Sequence, residues 1–115
     1  SGWHVPTDGE WTDLENHIIS QGFDASEGNA LKSTYGWYNG GNGTDDFGFS
    51  ALPGGCRRDY DGSFDDAGYF GFWWSSSPSG GDAWGRFLRR NSPVMIRIGD
   101  NPRGGYSVRC LRDAD

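Results

Sequence analysis

Along the first 33 residues the apolar positions recur at helical spacing. In TDGEWTDLENHIISQG (7–22), Trp11, Leu14 and Ile18 fall at i, i+3 and i+7, one stripe of a helix. Thr7 followed by Glu10 three residues later has the form of a capping box, and Gly22 stands where a C′ stop belongs. The spacing predicts one main helix over 7–22. ASEGNALKS (25–33) has room for one or two further turns, and WHVP (3–6) reads as a short strand stopped by Pro6.

Beyond residue 33 the period changes. YGWYNGGNGTDD (35–46) is turn-rich, with Asn-Gly at 39–40 and 42–43, and FGFSALPGG (47–55) reads as a short strand running into a Pro-Gly turn. CRRDYDGSFDDAGYFGFWWSSS (56–77) reads as a hairpin turning at Asp61-Gly62, with Phe64 beyond the turn. WGRFLRR (84–90), VMIRI (94–98) and YSVRCLR (106–112) are three further short strands, joined by NSP (91–93) and GDNPRGG (99–105). One helix followed by short antiparallel strands predicts an α+β domain.

The late strands obey only half a rule. Trp84, Arg86 and Leu88 form one alternating set, while Gly85, Phe87 and Arg89 form another with no common chemistry. Met95 and Arg97 alternate in the same way with Val94, Ile96 and Ile98. Alternate residues of a strand point to opposite faces. One face is therefore expected to pack and the other to be more exposed, a contact surface. Its competing reading is that Phe87, Ile96 and Ile98 face a second core layer. In the first reading Phe87→Ala leaves folding nearly intact, whereas a fully buried Trp84 would cost about 3–5 kcal/mol on truncation to Ala.

Composition adds bounds. A chain of 115 residues is expected to form one domain, 1–115, and its abrupt start at SGWHVP suggests a piece of a longer chain. With 6 Trp, 7 Phe and 5 Tyr the core should be aromatic, and 20 Gly imply many tight turns. The net charge of −6 argues against nucleic acid as a partner of the whole chain, and no apolar run is long enough for membrane insertion. The charge is uneven: residues 86–112 hold seven Arg against one acid, Asp100. Two cysteines allow one bridge, Cys56–Cys110, closing a loop of about 55 residues and contributing on the order of 4 kcal/mol; the alternative is two free, buried thiols.

GWHVPTDGEWTDLE, ALKSTYGW, NGTDDFGFSALPGG, the DGSF turn, GFWWSSS, AWxRxLxxN (83–91, x any residue) and GYSVRCLRD, in this order and spacing, resemble the Fibrobacter succinogenes major paralogous domain over residues 2–113. The resemblance implies a C-type lectin-like fold, related to that of formylglycine-generating enzymes. It also implies an extracellular or cell-surface bacterial protein, or a phage virion protein such as a receptor-binding tail fibre. Some members resemble variable proteins of diversity-generating retroelements, in which chosen codons of a C-terminal segment are mutagenised.

Carried over position by position, Trp84, Arg86, Leu88, Asn91, Arg97, Ser107, Val108, Arg109 and Cys110 fall on framework positions. Gly85, Phe87, Arg89, Arg90, Ser92, Pro93, Val94, Ile96, Ile98, Gly99, Asp100, Asn101 and Arg103 fall where the family is permissive, and they form the candidate ligand-binding set. The family usually carries a Cys just before GWHVP as the natural partner of Cys110. Here Ser1 stands in that place, and Cys56 occupies a position that is more often aromatic.

The chemistry of the residues agrees with binding rather than reaction. A nucleophile needs an adjacent base and an orienting group. His4 sits in a strand-like segment and His17 lies opposite the helix's apolar stripe, both read as structural or solvated. The carboxylate pairs Asp45/Asp46, Asp59/Asp61 and Asp65/Asp66 lie in turns, where Asp is favoured for backbone reasons. The formylglycine-generating activity uses a local cysteine pair, which Cys56 and Cys110 are not. NGGNGTDD (39–46) and DYDGSFDD (59–66) carry oxygens enough for a structural calcium but lack EF-hand spacing, so no cofactor is expected. The sugar-binding loop signatures of C-type lectins are absent. Arg and aromatic residues together are typical of protein hot spots. The expected function is thus a non-catalytic, ligand-binding display domain whose partner is a protein or glycan on a cell surface. The alternative is a structural module of a surface or fibre protein whose patch packs on a neighbouring domain or protomer.

Overall fold

The computed structural model describes residues 2–114. In chain order its elements are β1 (Trp3–His4), α1 (Asp8–Ser20), α2 (Glu27–Leu31), β2 (Cys56–Arg57), β3 (Phe64–Asp65), β4 (Phe70–Ser79), β5 (Asp82–Arg89), β6 (Ile96–Asp100) and β7 (Leu111–Arg112). The domain is a small α+β fold with one main helix and short antiparallel strands.

Helix α1 forms as its sequence dictates. Thr7 Oγ1 accepts from Glu10 N at 3.1 Å, and Glu10 Oε1 accepts from Thr7 N at 2.9 Å, so the capping box closes. Gly22, with φ +99°, ends the helix in the left-handed conformation that glycine adopts without strain. Trp11 and Ile18 are buried and Leu14 packs beside them, while His17 stays exposed and meets the Phe47 ring edge-on.

Three antiparallel strands in the order β4-β5-β6 make the main sheet. Its register pairs Phe72 with Phe87, Trp73 with Arg86 and Gly71 with Leu88; on the other side of β5, Arg86 meets Arg97 and Phe87 meets Ile96. The face carrying Trp73, Arg86 and Leu88 packs on the core of Trp11, Ile18, Leu31, Trp37 and Met95. Two pairs of two-residue strands complete the fold. β2 and β3 form the hairpin expected around Asp61-Gly62, and β1 pairs with β7, bringing the two ends of the chain together. His4 locks that closure, its Nδ1 2.6 Å from Asp113 Oδ1 and its Nε2 3.0 Å from the Glu10 carboxylate. These two contacts raise the His4 pKa above its ordinary value, with Asp113 the larger cause.

Some sequence expectations are corrected. FGFSALPGG is no strand: it forms turns, and Ala51 makes only an isolated parallel bridge to Lys32. Phe47 and Phe49 pack onto the core from this irregular segment. YSVRCLR is regular only at Leu111–Arg112, and Ser107 bridges in parallel to Trp73. Trp84 is half-buried, not fully: what covers its ring face is the exposed Arg97 guanidinium, 3.5 Å from the ring centroid. The bridge Cys56–Cys110 does not form: both thiols are free, Cys56 buried in β2 and Cys110 exposed near the C-terminus.

Candidate functional site

The second face of the main sheet is an aromatic row. Phe70 and Phe72 of β4 stack at 5.5 Å between ring centroids, and Phe87 of β5 leans on both at 5.9 and 5.7 Å. Tyr106, from the segment after β6, stacks on Phe72 at 4.8 Å and on Trp74 at 4.0 Å. The Trp74 indole donates to Gly104 O at 3.3 Å, and the Tyr106 hydroxyl bonds the Asp100 carboxylate. Burial, reinforced by that carboxylate, pushes the Tyr106 phenol well above its ordinary range. The 101–107 segment thus roofs one end of the row and leaves the Phe87 end half-covered.

This cover decides where the candidate binding residues lie. Gly85 is corrected from exposed to buried: a Cβ there would sit 2.7 Å from Trp73 O and 3.5 Å from both the Trp74 and Tyr106 rings. Phe87, Arg89, Ile96 and Ile98 share its face and are half-buried, so a partial second layer covers the apolar members. Arg90, Ser92, Val94, Asp100 and Asn101 are also half-buried, and Pro93, Gly99 and Arg103 are exposed. Exposure does not follow the family split throughout. Asn91, Arg97, Ser107, Val108, Arg109 and Cys110 are exposed despite their framework positions. For Ser107 the framework role is main-chain: its N–H donates to Phe72 O at 3.0 Å and its C=O accepts from Trp74 N at 3.1 Å.

The turn between β5 and β6 is docked on α2 rather than free. Lys32 Nζ donates to Ser92 O at 2.8 Å, Asn29 N to Pro93 O at 3.1 Å, and Met95 N to Glu27 Oε1 at 3.4 Å. Burial of Lys32 under this turn lowers its pKa to about 8. The loop after β6 is held by Asn101, whose Oδ1 accepts from Arg103 N at 3.0 Å and whose C=O accepts from Gly104 N at 3.0 Å.

The arginines divide by partner. Arg86 is buried and donates to Asp8 and Glu15 at 2.7 and 2.6 Å; Arg97 donates to Asp8 at 2.8 Å; Arg58 joins Asp65 and Asp66, each at 2.9 Å. Arg97, then Arg86, holds the Asp8 carboxyl below its usual range. Arg89 and Arg90, by contrast, have no carboxylate within 4.0 Å among the described residues. They border a cavity of about 330 Å³ with Asp66, Tyr69, Phe70 and Asn91. Sequence reasoning reached the two arginines but missed Asp66 and Tyr69. These come from the turn before β4, and only the antiparallel pairing of Phe70 with Arg89 brings that turn beside the end of β5.

The acidic turns spend their oxygens locally. Asp45 accepts from Ser50 N at 2.7 Å, Asp61 from Ser63 N at 2.9 Å, and Asp65 and Asp66 face Arg58. Among the described residues no three or more His, Cys, Asp or Glu are grouped to hold a metal ion. No helix is long and apolar enough to cross a membrane. His4 has only Glu10 and Asp113 as ring partners among the described residues.

Compared with known families, residues 1–112 match the Fibrobacter succinogenes major domain. The chain belongs to that family. No match of comparable strength is found among curated proteins or among solved structures. For this Fibrobacter succinogenes major domain, the face described above therefore has to be read from its own geometry.

Proposed function

We propose that this domain is a non-catalytic display module, on a C-type lectin-like scaffold, that binds a protein or glycan at a bacterial cell surface or as part of a phage virion. The observation that carries the reading is the division within β5: Arg86 and Leu88 are locked into the core, while Phe87 and Arg89 of the same strand face outward, only partly covered. The residues of the contact face run from Phe87 through Arg89, Arg90, Ser92, Pro93, Val94, Ile96, Ile98, Gly99, Asp100 and Asn101 to Arg103. They sit on strand ends and docked turns, which hold side chains more accurately than free loops do. Unpartnered arginines beside half-exposed aromatic and branched residues give the mixed chemistry of a recognition surface. His4 clamped between carboxylates, and two free thiols, one buried in β2 and one exposed before β7, support a role without bond-making.

The test is binding of the purified domain to glycan arrays and to intact bacterial cells, with Phe87→Ser, Arg90→Gln and Ile96→Ser beside the parent. The expected result is lost binding by variants that stay folded, with Arg90→Gln leaving the unfolding midpoint little changed and Phe87→Ser lowering it in part. A second reading rests on the contiguous, half-exposed Phe87, Ile96 and Ile98: this patch packs on another protomer or domain. Size-exclusion chromatography with light scattering separates the two. A monomer supports display, whereas a stable trimer burying Phe87 and Ile96 would sink it.

A further inference from the structure

We propose that the cavity at the end of β5 is a subsite for the carboxylate of an acidic sugar, with Arg89 and Arg90 as the anion-binding pair. This rests on the display reading and gives part of that face its chemistry. Arg89 is half-buried, and its Nε is out of reach of solvent with no hydrogen-bond partner. That nitrogen carries a desolvation cost, and no carboxylate of the described residues lies within 4.0 Å of the guanidinium to offset it. Arg58, Arg86 and Arg97 each have such a carboxylate. Arg89 and Arg90 line the cavity without such a partner, and the group whose shape matches a guanidinium fork is a planar oxyanion.

The charge of the wall selects a monoanion. Two guanidiniums and the Asp66 carboxylate line the wall, and Asp66 shares Arg58 with Asp65, so the three arginines and two carboxylates together leave one net positive charge. A dianionic phosphate would leave the wall overcompensated beside the acidic 59–66 hairpin. The remaining lining favours a small hydroxylated ring. Tyr69 is 41% exposed and lines the cavity, while Asn91 and Asp66 supply a donor and acceptors for hydroxyls. A cavity of about 330 Å³ lies at the small end of ligand pockets, the scale of one sugar ring.

The frame is preorganised. Arg90 N donates to Tyr69 O at 2.9 Å, the Arg90 guanidinium lies 5.5 Å over the Tyr69 ring, and Tyr38 meets that ring edge-on at 5.0 Å. Gly41 backs Arg90 so closely that a Cβ there would stand 2.5 Å from Arg90 O. Tyr69, Asp66 and Arg90 are therefore set by the backbone before any ligand arrives.

The experiment is an amide-resolved NMR titration with glucuronate and galacturonate. Glucose and galactose serve as neutral controls, acetate as the bare anion and glucose 6-phosphate as the dianion. The expected result is that a uronate shifts the amides of 66–70 and 89–91 and binds at least about tenfold more tightly than every control. Arg89→Gln abolishes this, and Arg89→Lys does not restore it, because lysine keeps the charge without the fork. Arg112→Gln removes the same charge from exposed β7 and leaves binding unchanged. Should Arg89→Gln fail to fold, Arg90→Gln must give the loss. The proposal is overturned if neither uronate shifts these amides, if acetate or the phosphate binds as tightly, or if Arg112→Gln weakens binding equally. A neutral ligand held at Phe87 and Ile96 and indifferent to Arg89→Gln would remove the subsite and leave the display reading standing. An oligomer that buries Phe87 and Ile96 would remove both.

Discussion

Arg86 and Asp8 lie 2.7 Å apart across the seam between β5 and the first turn of α1. Arg86 is 1% exposed, and it also donates to Glu15 at 2.6 Å and to Thr12 Oγ1 at 3.2 Å. Asp8 in turn accepts from Arg97, which is stacked on Trp84. A single buried guanidinium thus ties the helix to the sheet and fixes which face of β5 turns inward. Removing one member of such a network leaves the other charges unmatched. Arg86→Met is expected to destabilise the domain by about 3 kcal/mol, whereas Arg97→Ala, at an exposed pair, should cost clearly less. Urea unfolding of both variants checks this. Equal losses would mean that Arg86 acts as a spacer and not as the hub.

Alternation within β5 makes a second contrast. Leu88 is fully buried, so Leu88→Ala should cost about 2–5 kcal/mol. Phe87→Ala should cost less but not nothing, because its ring leans on Phe70 and Phe72. Trp84→Ala should fall below the about 3–5 kcal/mol of a fully buried aromatic, since the ring is only half-buried under Arg97. Thermal melts of the three variants rank them. A Phe87 loss as large as that of Leu88 would make the outer face a true second core.

The inner face of β5, the capped α1 and the Asp61-Gly62 hairpin were legible because local rules decide them: alternation, a capping box, a turn dipeptide. The irregular 47–55 segment was not. Its Phe47 and Phe49 look like strand residues, yet they reach the core from turns, with Asp45 and Ser50 at φ +49° and +53° breaking any ladder. Gly85 was misplaced for a related reason. Alternation gives the face of a residue but not what lies over that face, and Tyr106 comes from 21 positions later in the chain. The candidate site was half legible: Arg89 and Arg90 stood out as charges, but Asp66 and Tyr69 join them only through the sheet register.

Gly28 tests the docking of the 91–95 turn. Alanine is the better helix former by about 1 kcal/mol, so Gly28→Ala in α2 would ordinarily stabilise. Here a Cβ would stand 2.8 Å from Pro93 O and from Val94 C, both backbone atoms that cannot swing aside. Gly28→Ala is therefore expected to lower the melting midpoint and to shift the amides of 92–95. A rise in stability with those amides unmoved would show the turn to be loosely held.

Lys32 gives the same contact a pH signature. Its ammonium is buried and donates to Ser92 O at 2.8 Å, and burial lowers its pKa from 10.5 to about 8. Between these values the unfolded chain holds the lysine proton and the folded chain releases it. Raising the pH therefore favours the folded state, by at most about 1.4 kcal/mol per pH unit for one proton. Tyr106 and Cys56, whose pKa values are raised in the fold, pull the other way at high pH, so the parent's total curve mixes the effects. Lys32→Met isolates the lysine, since the tyrosine and thiol contributions are common to both proteins. The stability of the parent relative to Lys32→Met should be flat below pH 8, rise from about 8 to 10.5, and level off above. A difference that stays flat across that window would place the ammonium in water and the Ser92 turn away from α2.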